Sequence, residues 1–134
     1  MIKKTHYFSI LPIFLIIILT ACSKSKEDDN CISYSKLPVI SAAGPDTGSV
    51  NHDISFTITY GIANGCGQLD HYEQAVNGNT TVIDVMGKYT GCICTEIYQE
   101  IQSVYTFKAT AAGTYYLEFF HDANTVIKDT IVIQ

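Results

Sequence analysis

The stretch Tyr105-Thr106-Phe107-Lys108-Ala109-Thr110-Ala111-Ala112-Gly113-Thr114-Tyr115-Tyr116-Leu117-Glu118-Phe119-Phe120 decides the fold class. Tyr105, Phe107 and Ala109 alternate with Thr106, Lys108 and Thr110. After Ala112-Gly113, Tyr115, Leu117 and Phe119 alternate with Tyr116, Glu118 and Phe120. A period of two puts one set on a buried face and the other in water, as in a half-buried strand. Two such runs separated by a small-residue turn read as consecutive strands.

The same period extends through most of the chain. Ile54, Phe56, Ile58 and Tyr60 share a face, as do Ile83, Val85 and Tyr89, and then Ile127, Ile131 and Ile133. Gly44-Pro45-Asp46, Asn64-Gly65, Asn77-Gly78-Asn79 and Asp122-Ala123-Asn124 punctuate the runs. The pattern predicts about seven strands, over 37–43, 52–60, 68–76, 80–90, 103–110, 114–121 and 126–133. Strands this short and evenly spaced predict an all-β chain folded as one small antiparallel β-sandwich. One segment, 93–102, reads two ways. Ile93, Ile97 and Ile101 recur at i, i+4 as in a helix, and an edge strand fits as well.

The pair of runs around Gly113 resembles strands E and F of immunoglobulin-like domains. The resemblance implies that Tyr115 is the corner tyrosine, bonded back across the turn. The chain departs from the immunoglobulin pattern in having no tryptophan, no cysteine in its second strand and Leu117 at the second core-cysteine position.

The period-two pattern does not extend to residues 1–21, which read as a targeting segment. Lys3 and Lys4 precede an apolar run from Tyr7 to Leu19. It is too short to span a bilayer, which takes about 20 apolar residues, and it fits the apolar region of an export signal. Leu19-Thr20-Ala21-Cys22 follows directly and resembles the lipobox of bacterial lipoproteins. That resemblance implies cleavage before Cys22 and acylation of Cys22, which becomes the lipid-anchored N-terminus. Residues 23–30 have no apolar side chain and form a polar tether. Within it, Lys26-Glu27-Asp28-Asp29 resembles the signal that carries lipoproteins of Bacteroidota-type bacteria to the outer face of the outer membrane. The organisation expected is therefore a signal peptide over 1–21, lipidated cysteine and tether over 22–30, and a sandwich domain over 31–134. The location expected is the cell envelope, with lipid anchoring to the outer membrane and display at the surface.

Five cysteines leave one over if the rest pair. With Cys22 on lipid, four remain. The alternating strand directions collect Cys31, Cys66, Cys92 and Cys94 at one end of the sandwich. An exported chain meets an oxidising compartment, so two disulfides are expected. Bridging Cys92 to Cys94 across one residue is strained, so Cys31 and Cys66 each take one of Cys92 and Cys94, in either order. The alternatives are a four-thiolate zinc site or a redox-active C-x-C, but zinc sites commonly use two C-x₂-C pairs, and none occurs here.

All eight basic residues are lysines. The part after the leader holds six of them against thirteen acids, a net charge of −7. Arginine is the preferred fork for phosphates and base edges, so this balance argues against nucleic-acid partners. No G-x-S-x-G, H-E-x-x-H or phosphate loop is present, and no catalytic residue, metal ligand or cofactor is assigned. The function expected is a non-catalytic binding or structural module, tied to membrane lipid through Cys22, with an envelope protein or glycan as partner. A metal-binding or thiol-redox protein built on the four cysteines is the alternative, as is an inhibitor or accessory subunit of an envelope enzyme. The residues expected to do the binding are Asn64, His71, Tyr72, His121 and Asp122, placed at the cysteine end near the tether.

Overall fold

A computed structural model describes residues 31–134. The leader, Cys22 and the tether lie outside the described residues. Nine strands form two sheets: β1 (Ile32–Leu37), β2 (Val39–Ala43), β3 (Thr47–Gly48), β4 (Ile54–Ile62), β5 (Gly67–Asn77), β6 (Thr80–Thr90), β7 (Gln99–Phe107), β8 (Gly113–Phe120) and β9 (Val126–Ile133). One sheet orders β2-β4-β7. In the other, β6 pairs β5 on one side, while β1 and β8 lead through β9 to β3 on the other.

The extra strands have local causes. The first run begins at Ile32 and changes sheet at Pro38, which lacks the N–H needed to continue a ladder. Before it, β1 pairs antiparallel with Val85 to Thr90 of β6. After it, β2 pairs with β4. The two-residue β3 lies parallel to the end of β9. The run expected at 103–110 starts earlier, at Gln99, and leaves its ladder after Phe107. Within 93–102, residues 93–98 form neither helix nor strand, and β7 supplies the remainder. The i, i+4 isoleucines share no buried face, since Ile93 and Ile97 are exposed and Ile101 is half-buried.

The alternation builds the core as read. Phe56, Ile58 and Tyr60 of β4 pack against Ile83 and Val85 of β6, Leu117 and Phe119 of β8, and Ile131 of β9, all nearly inaccessible. Burying side chains of this size contributes about 1.5–3 kcal/mol each. The turn after β7 is closed by the corner tyrosine: Tyr115 Oη donates to the Ala111 carbonyl at 2.9 Å. Its ring meets Phe107 edge-on at 5.5 Å.

The strand order departs from that of an immunoglobulin domain around β6. There, the third strand pairs with the sixth-position strand F. Here β6 stands between β5 and β8 and pairs parallel with β8 over Thr80 to Ile83. The chain leaves β6, crosses to the other sheet as β7 and returns as β8, so β6 and β8 run the same way. The rest of that edge of β6, from Val85 on, belongs to β1.

Candidate functional site

The cysteine end is fastened by two disulfides, Cys31–Cys92 and Cys66–Cys94, with Cα separations of 4.9 and 5.5 Å. They join the start of the domain, the β4–β5 loop and the β6–β7 connection. Backbone bonds reinforce the joint: Gly91 N–H donates to the Cys31 carbonyl at 2.9 Å, and Gly65 N–H to the Thr95 carbonyl at 3.0 Å. Gly91 has φ +139, and a Cβ there would stand 2.9 Å from Cys66 Sγ. Glycine is thus required both by the backbone and by the neighbouring sulfur. With every sulfur of the cluster in a disulfide, it presents no thiolate to a zinc ion or a redox partner. Among the described residues, no group of three His, Cys, Asp or Glu is placed to hold a metal.

The structure does not bring the five expected binding residues together. Asn64 is at the cysteine end, but its Oδ1 accepts from Cys66 N–H at 3.0 Å and shapes the loop. His71 and Tyr72 are consecutive in β5 and so face opposite ways. His71 lies exposed between Asp70 (Nδ1 to Oδ2 2.7 Å) and Glu73 (Nε2 to Oε1 3.3 Å). The hydrogen bond to Asp70, then that to Glu73, raises its pKa. Tyr72 turns inward, its hydroxyl 2.6 Å from Ser103 Oγ. Burial raises the phenol pKa, against the opposing effect of that bond.

His121 and Asp122 lie on the cysteine-ward side of the sandwich but stop short of the disulfides. The pairing of Phe119 with Ile83 sets the end of β8 level with Asp84. That is six residues, roughly 20 Å, short of Thr90 at 3.3 Å per residue. The turn stops there because β1 occupies the remainder of the β6 edge. His121 Nδ1 donates to the Val39 carbonyl at 2.7 Å, closing the joint between β1, β2 and β8. Asp122 Oδ1 accepts from the N–H of Asn124 and of Thr125 at 2.8 and 2.9 Å, which shapes the β8–β9 turn. Those bonds, the one from Asn124 first, lower its pKa.

A concave site lies elsewhere, at the end opposite the cysteines and between the free edges of β5 and β7. It is a cleft of about 360 Å³ whose lining includes Gln74, Val76, Asn79, Thr81, Tyr105 and Lys108. Val76 pairs with Thr81, which is buried, so both face the interior. Yet Val76 is 68% exposed, because β7 has ended while β5 continues to Asn77. The sheets part, and inward-facing positions open to solvent. Tyr105 Oη donates to Gln74 Oε1 at 2.7 Å and spans the upper limit of the opening. Its ring meets Tyr72 and Phe119 edge-on at 5.3 and 5.8 Å. Burial pushes the Tyr105 phenol up to about 12, so it remains a neutral donor at physiological pH. Asn79 Nδ2 donates to the Thr114 carbonyl at 2.8 Å, fixing the lower rim. Lys108 at the mouth pairs with Asp53 at 2.8 Å.

The span from β4 to β9 that builds this cleft, residues 56–133, matches the model of the ORF11 beta-sandwich domain. The chain belongs to that family. No curated protein matches the chain, and no solved structure does. The ORF11 beta-sandwich span holds the cleft, Cys66, Cys92 and Cys94, but not β1, β2, β3 or Cys31. The Cys31–Cys92 bond thus fastens to the family span a strand from outside it. The cleft offers an apolar floor beside amides and hydroxyls, which suits binding.

Proposed function

We propose that this chain is an exported lipoprotein of the cell envelope, anchored to the outer membrane through acylated Cys22, whose sandwich is a non-catalytic binding module. The observation that carries the reading is the position of the cleft relative to the chain's entry. The domain begins at Cys31, at one end of β6, and the cleft lies at the other. Those ends are ten residues apart along β6, roughly 33 Å. A tether at one end therefore leaves the cleft facing away from the membrane, available to an envelope protein or glycan. The lipobox-like Leu19-Thr20-Ala21-Cys22 and the acidic Lys26-Glu27-Asp28-Asp29 support anchoring and surface display.

Two measurements test the two halves. Detergent phase partitioning of Cys22→Ala should move the protein to the aqueous phase; partitioning that persists refutes the anchor. Affinity capture from native membranes should then compare wild type with Val76→Lys. Val76 is exposed, so the charge should leave the fold intact. Loss of captured partners in the variant supports the cleft. Unchanged capture sinks it.

A further inference from the structure

The end that carries the disulfides displays an apolar side chain that the fold does not use. Ile93 is 96% exposed. Isoleucine at a loop tip would ordinarily turn back onto the core, but both neighbours are fixed, Cys92 to Cys31 and Cys94 to Cys66. The tip therefore holds Ile93 outward. Ile32, Ile97 and Tyr98, in the segments joined there, are 40, 48 and 58% exposed. Cys31 is nine residues after Cys22, so the connecting chain reaches at most about 32 Å. It arrives at the residue bonded to the immediate neighbour of Ile93.

We infer that this disulfide-clamped tip is a lipid-contacting surface, which sets Ile93 into the interfacial region of the membrane that holds the anchor. The inference rests on the anchoring reading above. The site suits neutral lipid better than anionic headgroups, because residues 91–100 contain Glu96 and Glu100 and no lysine. Exposed isoleucine and tyrosine in one short segment suit the amphipathic depth of a bilayer interface. One inserted side chain is too weak to bind alone. Tethered to a lipidated cysteine, it acts at high effective concentration and fixes which way the domain stands. The cleft then points outward rather than lying against the membrane.

The chain contains no tryptophan, so Ile93→Trp installs a single reporter at a position too exposed to disturb the fold. Ala112→Trp, in the exposed β7–β8 turn at the other end, is the matched control. Both lipidated full-length chains are reconstituted into phosphatidylcholine vesicles, and flotation is measured first. The expected result is that both float, that I93W emission moves to the blue, and that brominated phosphatidylcholine quenches I93W and not A112W. Failure to float refutes the anchor, and this inference with it. Flotation with I93W unquenched overturns the tip contact alone and leaves the anchor standing. A blue shift of I93W that requires an added envelope protein, without quenching by brominated lipid, also overturns it in favour of a protein contact.

Discussion

Removing the disulfides one at a time should separate what they do for the fold. Cys31–Cys92 closes a separation of 61 residues and Cys66–Cys94 one of 28. Restricting the unfolded chain over such loops is worth about 4.3 and about 3.6 kcal/mol in the chain-entropy account. The loops overlap, so each is worth less with the other in place. Packing then acts against the larger figure. β1, released with Cys31, is exposed at all of its positions except Leu37. It can fray while the family span stays folded, which returns part of the entropy to the native state. Cys66–Cys94 joins two loops that cannot fray without loosening β4, β5 and β7. The paired substitutions C31A/C92A and C66A/C94A should therefore cost similar amounts, about 2–4 kcal/mol each. In urea, at about 1.5 kcal/mol per molar, that is a midpoint shift of roughly 1–3 M. Amide exchange in β1 should become fast in C31A/C92A and remain slow in C66A/C94A. The crossed pair C31A/C94A should be worse than either, since it leaves one unpaired cysteine from each bond. Midpoint shifts below about 0.5 M for both matched pairs, or β1 protection unchanged in C31A/C92A, would refute the reasoning.

Three further outcomes follow from single sites. Tyr115→Phe removes the bond to the Ala111 carbonyl and should cost about 0.5–1.5 kcal/mol by denaturant titration, with no change in the circular dichroism. Gly91→Ala forces a side chain into φ +139 and towards Cys66 Sγ, and should lower stability by at least about 1–3 kcal/mol in a thermal melt. Tyr105 titrates at about 12 folded against 10.0 ordinarily. Its contribution is fully present below pH 10 and lost as pH rises towards 12, a decline of at most about 3 kcal/mol. Phenolate absorbance should show exposed tyrosines ionising first, with Tyr105 ionising above pH 11 or together with unfolding; a single transition near pH 10 would refute its burial.

What was legible in the sequence was the set of features that depend on neighbours along the chain. Period-two runs located β6 and β9 to the residue, because a buried face imposes its alternation on each strand separately. The corner tyrosine was legible only through the resemblance of the runs around Gly113 to immunoglobulin-like strands E and F. The binding residues were not, because their positions depend on where one strand stops beside another. His121 stops short of the disulfides because β1 takes over the β6 edge from Val85 on. Gln74 and Val76 carry no sequence signal of a site, because the exposure of Val76 depends on where β7 ends beside β5. Residues 93–98 misled the helical period because two crosslinks, and not a buried face, govern that segment.

The cleft also fits the way this sandwich treats its edges. An unpaired strand edge invites addition of another chain, and folded proteins usually blunt it with bulges or charge. β5 does both along its first half: its register shifts between Leu69 and His71, and Asp70, His71 and Glu73 carry or share charge there. Opposite that half, β7 is bridged to β5 by Tyr72 with Ser103 and by Tyr105 with Gln74. Below Gln74 both devices cease. Ala75 and Val76 are uncharged, no further side-chain hydrogen bond joins β5 to β7 among the described residues, and β7 leaves its ladder after Phe107. If the opening were only a packing fault, closing it would need little more than a larger side chain at position 76 or two more residues in β7. Instead the protection ends where the cleft begins, on the half of the domain farthest from Cys31. On the proposed reading, an edge left unguarded there, and guarded elsewhere, is the surface that takes the partner, and the Val76→Lys capture experiment tests it.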